Sequence, residues 1–128
     1  MNNESVFKKL NLFIGVVFII LIGKALMEIT YMPEELYLYS LELPISTGLV
    51  IFGLIVVLVH LVSIFLLYAF VKIGKMLFVG SFILLIAAAL FSGVMILDHI
   101  DYFIDSLHGV ASGAIILMLY SSPIKERF

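Results

Sequence analysis

The sequence predicts an all-α fold: four transmembrane helices in an antiparallel up-and-down bundle, with a short interfacial segment after the first helix. Three observations predict it. The chain is 64% hydrophobic and 12% charged, where a soluble domain has about 45–50% apolar and about 25% charged residues. Four apolar stretches, centred near residues 20, 58, 87 and 113, hold that excess, and a membrane helix needs roughly 20 such residues. Six of the seven basic residues form three clusters: Lys8 with Lys9, Lys72 with Lys75, and Lys125 with Arg127. The other two connections carry acids, Glu34, Glu35 and Glu42 in one and Asp98, Asp101 and Asp105 in the other. Short loops rich in Lys and Arg stay in the cytoplasm, so both termini are expected inside.

The first span covers about 8–31 and runs outward. It opens like a signal peptide, with Lys8 and Lys9 before an apolar run. Lys24 and Glu28 then follow with no small-x-small cleavage site, so an uncleaved span is expected. Pro33-Glu34-Glu35 has the pattern of a helix start. Leu36-Tyr37-Leu38-Tyr39 makes 33–43 greasy enough to lie at the outer interface, and Pro44 ends it. The second span, about 46–71, lies in an uncharged stretch of 29 residues between Glu42 and Lys72. Lys72-Ile73-Gly74-Lys75 joins it to the third, about 76–97. The tight turn Asp98-His99-Ile100-Asp101 leads into the fourth, about 102–121, with Asp101 as its N-cap. Residues 1–128 thus form a single integral membrane domain. All six tyrosines fall at predicted interfaces, where amphipathic rings prefer to sit.

Small residues mark a packing face. The fourth span carries Gly109-x-x-x-Gly113 with Ser112 and Ala114, and the third carries Gly80, Ser81, Ala87, Ala88, Ala89, Ser92 and Gly93. Such residues let helix backbones approach closely in lipid. Packing of the third and fourth spans on each other is expected, with a homodimer face as the alternative.

Ionisable residues inside a span cost roughly 2.5–3.5 kcal/mol each on insertion scales, so they are the first candidates for function. Lys24 and Glu28 share one face of the first span. Asp98, Asp101, Asp105 and His108 follow i, i+3, i+7, i+10 spacing on one face of the fourth, and Ser112 extends the stripe. Lys24 and His108 lie at matching depth, so a cluster of Lys24, Glu28, Asp105 and His108 is the candidate polar site. Carboxylate with imidazole suits a proton or a metal. The competing reading is structural: Lys24 pairs with Glu28, and the acids serve a wet helix N-terminus. Asp98, His99 and Asp101 form a candidate outer acidic site. His60, near the middle of the second span, is the candidate relay, or else is tied to a neighbouring carbonyl or to Ser63. A haem held by His60 and His108 is disfavoured, because by rise per residue their depths differ by about 10 Å.

The tail Tyr120-Ser121-Ser122-Pro123-Ile124-Lys125-Glu126-Arg127-Phe128 and the four-span layout resemble uncharacterised small four-helix inner-membrane families of bacteria. The resemblance implies a bacterial cytoplasmic membrane, with the acidic connections outside, and no particular activity. The chain also has the size of small multidrug exporters. It departs from them in having no glutamate in the middle of the first span and no tryptophan.

Function classes narrow accordingly. There is no Cys for disulfides or thiolate ligation. The basic residues are too few and too split to follow a nucleic-acid backbone. No nucleophile elbow, HExxH, P-loop or dinucleotide fingerprint occurs, so no catalytic residue and no cofactor are expected. The expected function is that of a small non-enzymatic accessory protein whose partners are the bilayer and another membrane protein or a second copy. A small oligomeric transporter or ion-handling protein built on the Lys24, Glu28, Asp105 and His108 cluster is the first alternative. Immunity against a membrane-active toxin or phage is the second.

Overall fold

The computed structural model describes residues 3–31, 47–91, 99–121 and 123–128, excepting the side chains of 28–31, 47, 49, 89–91 and 99. It is all-helical over those residues. The helices are α1 (Asn3–Tyr31), α2 (Thr47–Tyr68), α3 (Lys72–Phe91) and α4 (His99–Ser121), closed by a 3-10 turn at Pro123–Arg127. Stretches of three, Asn3–Met27, Val50–Tyr68 and Ile100–Ser121, are long and apolar enough to cross a membrane. Much of their apolar surface faces outward, with Leu12, Phe65 and Val110 all more than 60% exposed. Such faces suit lipid. The expected interfacial segment at 33–43 and the end of the third span at 92–97 lie outside the described residues.

Two helix starts differ from expectation. α1 begins at Asn3 rather than near residue 8, because Glu4 and Lys8 pair at 3.3 Å across one turn and carry the helix back. α4 begins at His99, so Asp101 sits in its first turn and is not the N-cap.

The link between α2 and α3 also moves. The Lys72–Lys75 segment was expected to be the connection, yet it is the first turn of α3. The chain reverses earlier, at Ala69-Phe70-Val71. The Val71 N–H donates to the Leu66 carbonyl at 2.9 Å and the Phe70 N–H to the Leu67 carbonyl at 3.0 Å. That is a Schellman closure, which places its C′ residue in the left-handed region. Phe70 occupies it with φ 55°, where a non-glycine residue costs about 1–2 kcal/mol. Packing offsets this. The Phe70 ring stacks on Phe7 with centroids 5.7 Å apart and lies 5.5 Å from Phe128, with Lys8 5.2 Å above it. Arg127 bonds Glu4 at 2.5 Å beside this cluster. One end of the bundle is therefore stapled by the N-terminus, the α2–α3 turn and the C-terminus together.

Contacts run in reverse order along neighbouring helices. Between α1 and α2 with the turn that follows it, Phe7 meets Phe70, Asn11 meets Ile64 and Phe18 meets His60. Between α1 and α4, Phe18 meets His108 and Lys24 meets Asp101. α2 packs most extensively on α3, and α4 packs chiefly on α1. The core between them holds Ile14, Phe18, Ile64, Leu67, Phe78, Ile115 and Leu119.

The expected packing of the third and fourth spans through Gly109 and Gly113 is corrected. α3 and α4 make the weakest contact of the neighbouring pairs, and a Cβ at Gly109, Gly113 or Gly80 would meet nothing within 4 Å. The closest glycine approach is elsewhere. A Cβ on Gly74 would stand 2.7 Å from Leu66 Cβ and 2.9 Å from the Leu66 carbonyl carbon. Gly74→Ala is therefore expected to cost about 1–3 kcal/mol by overpacking, while Gly80→Ala is neutral or slightly stabilising through helix propensity. Thermal unfolding of the two variants in detergent tests this, and equal midpoints would refute the close approach.

Candidate functional site

α2 turns Val56, His60, Ser63, Ile64 and Leu67 inward, and α4 turns in Asp101, His108, Ser112, Ile115 and Leu119. At about 100° per residue, Asp101, His108, Ser112 and Leu119 fall within about 40° of arc, and Asp105 lies at the edge of that stripe. His60 and His108, 0% and 5% exposed, meet across the core with their Nε2 atoms 3.3 Å apart.

This contact corrects the expected difference in depth. α4 starts about three residues sooner than expected, which drops His108 inward by about 4–5 Å. Two imidazole side chains reaching toward each other span the remainder. The distance argument against a shared ion on His60 and His108 therefore no longer stands.

The hydrogen-bond chain around the pair has a direction. Ser81 Oγ donates to the Phe78 carbonyl at 3.1 Å. Its oxygen is left to accept from His60 Nδ1–H, 2.8 Å away. A neutral His60 with its proton on Nδ1 presents a lone pair at Nε2, so His108 supplies the Nε2–H between the rings. Ser63 is one of the two partners that the structural reading offers the His60 ring. It instead donates to the His60 backbone carbonyl at 2.6 Å.

Aromatic faces enclose the pair. Phe18 stacks on His108 with centroids 5.1 Å apart, Phe78 stacks on His60 at 5.0 Å, and Phe82 stands 6.1 Å from His108. Where α3 and α4 part, a cavity of about 300 Å3 opens, lined by Phe18, Leu21, Phe82, Leu85, Ile86, Asp105, His108 and Gly109. It brings His108 and the exposed carboxylate of Asp105 onto one surface.

The predicted cluster of Lys24, Glu28, Asp105 and His108 thus resolves into separate parts. Lys24 pairs with Asp101 across α1 and α4, with the Asp101 side chain largely buried and that of Lys24 half-buried. The helices meet as anticipated, but at Asp101, which lies on the same stripe as His108. Asp105 faces the cavity, and His108 faces His60. The side chain of Glu28 lies outside the described residues, as do Asp98 and the His99 ring. Of the candidate outer acidic site, only the Asp101 side chain is described.

Sequence reasoning missed Ser81 as the partner of His60, along with the phenylalanine shell and Asn11. Ser81 and His60 lie equally far along the chain from the Phe70–Val71 turn, a signal hidden by placing that turn a few residues late. Asn11 Nδ2 donates to the Ile64 carbonyl at 2.7 Å. Its Oδ1, and Ser112 Oγ, are buried with no hydrogen-bond partner among the described residues.

No protein-family model, curated protein or solved structure matches this chain.

The direction of the chain is testable by 15N NMR of histidine-labelled protein. At a pH where both rings are neutral, His60 should appear as the Nδ1–H tautomer and His108 as the Nε2–H tautomer. Ser81→Ala should return His60 to a mixture and lower stability by about 1–3 kcal/mol, the cost of an unsatisfied buried donor. An unchanged His60 spectrum in that variant would refute the assignment.

Proposed function

We propose that the chain is a small, non-enzymatic, four-span protein of a bacterial inner membrane that handles protons through the His60–His108 pair. The contact of two buried imidazoles, Nε2 to Nε2 at 3.3 Å, carries this reading. Imidazole is the side chain whose charge changes near neutral pH, and ionisable groups inside a bilayer mark proton and ion pathways. Water in the cavity beside Asp105 brings a proton to His108 Nδ1, giving an imidazolium. Its Nε2 proton then passes to His60 Nε2, which leaves His108 neutral with its remaining proton on Nδ1 and His60 as an imidazolium that gives up the Nε2 proton to buried water on the far side. Farther along α1 and α4, toward the end where Phe7 and Phe128 meet, Asn11 Oδ1 and Ser112 Oγ offer acceptors for buried water. The basic clusters support cytoplasmic termini and an antiparallel four-span threading.

The test is proton flux into liposomes holding the purified protein and a trapped pH dye. Flux above protein-free vesicles is expected. His108→Phe fills the space but removes both nitrogens. It should cut flux by about 100-fold, the low end of what a positioned proton-transfer group contributes. Flux equal to protein-free vesicles, or unchanged in the variant, would overturn the reading.

A second reading, an accessory subunit that docks on another membrane protein or a second copy, is favoured by one observation. A Cβ at Gly109 or Gly113 would meet nothing within 4 Å among the described residues, although small-residue faces serve close helix association. The native mass of protein gently extracted from its membrane tests it. A stable complex is expected on this reading, and a lone chain contradicts it.

A further inference from the structure

We infer that His60 and His108 form a binding site for a late first-row divalent cation, with Zn2+ as the reference ion, seated between their Nε2 atoms. The spacing fits. Two nitrogens on one tetrahedral ion at about 2.0–2.1 Å stand about 3.3–3.4 Å apart, and the pair is already at 3.3 Å. The ion takes the place of the inter-ring hydrogen bond. His108 keeps one proton, moved from Nε2 to Nδ1, so both ligands stay neutral.

The support behind the ligands is also in place. A metal-bound imidazole usually donates its other N–H to a fixed acceptor, which sets its tautomer and orientation. His60 Nδ1–H donates to Ser81 Oγ at 2.8 Å, and Ser81 is itself tied to the Phe78 carbonyl. Access comes from the cavity of about 300 Å3 that reaches His108, large enough to admit a small ion with water. Asp105 on the cavity wall offers the one negative charge there, offsetting part of the cost of bringing in a cation.

Chemistry selects the ion. Imidazole ligands suit Zn2+ and Cu2+, whereas Mg2+ and Ca2+ demand oxygen donors. Among the described residues no three His, Cys, Asp or Glu side chains converge on one point. The ion therefore keeps solvent in its remaining positions and binds reversibly. The site uses the same pair as the proton reading, and there a bound ion would block transfer between the rings.

Co2+ serves as the probe, added to the full chain in lipid nanodiscs and followed by its visible absorption. Saturation at one ion per chain is expected, with displacement by Zn2+ and not by Mg2+. His108→Phe should abolish the signal, and Ser81→Ala should weaken binding by about 10–100-fold. If His108→Phe fails to fold by circular dichroism, wild type and Ser81→Ala decide alone. Absent saturation, retention of the signal by a folded His108→Phe, or unaltered affinity in Ser81→Ala would overturn the proposal. Proton flux in metal-free buffer separates the two claims. Flux without Co2+ binding removes only the metal site, and Co2+ binding without flux removes only the proton reading.

Discussion

Lipid tails are as apolar as leucine, so a bilayer does not drive apolar helix faces together, and polar groups that cross between helices help decide which ones meet. In this chain every pair of helices in contact carries such a crossing. Asn11 reaches the Ile64 carbonyl from α1 to α2, and Lys24 pairs with Asp101 from α1 to α4. His60 bonds Ser81 from α2 to α3 and His108 from α2 to α4. Lys75 Nζ donates to the Leu119 carbonyl at 3.0 Å from α3 to α4 and lies over the Tyr120 ring. His60 hydrogen-bonds two other helices at once. Its ring ties α2 to α3 through Nδ1 and to α4 through Nε2, which no apolar substitute would do.

The two ends of the molecule are held differently. At one end the Phe7, Phe70 and Phe128 rings, the Glu4–Arg127 pair and the Lys75 bond lock all four helices and the final turn. Beyond the histidines the Lys24–Asp101 pair draws α4 onto α1, while α3 and α4 stand apart around Leu85, Asp105 and Gly109. The cavity is the consequence. It lies beside His108, so the buried pair is reached through that ring.

Much of this was legible in the sequence. The apolar stretches and charge clusters marked the helices, and the stripe on the fourth span marked the face that α4 turns inward. The meeting of α1 with α4 at a polar depth was also readable. The partner was not, because Asp101, Asp105 and His108 share nearly one direction and only packing separates a buried Asp101 from an exposed Asp105. Three further misreadings have local causes. Phe70 does the work of a C-cap glycine because surrounding rings hold it there, which no turn rule anticipates. Gly74 then looked like a turn residue when its use is close approach within the hairpin. The small residues at Gly109 and Gly113 look like packing residues, yet a Cβ at either would meet nothing within 4 Å among the described residues.

The phenylalanine shell bears on what the pair can hold. A cation buried among aliphatic side chains loses its hydration and gains little in return. Aromatic faces are different, since the ring quadrupole attracts positive charge, more strongly where water is excluded. Phe18 lies against His108 and Phe78 against His60, so a positive charge on either ring is met by a π face. An anion would be repelled by the same faces. Asp105 is kept out of the pair, on the cavity wall, where it can stay hydrated. On the proposed reading the arrangement separates two tasks: the exposed carboxylate would draw cations toward the opening, and the neutral, aromatic-walled pair of nitrogens would receive them. A site meant only to knit helices together would need the hydrogen bonds but neither the cavity nor the carboxylate beside it, and that difference favours a histidine pair that works on cations.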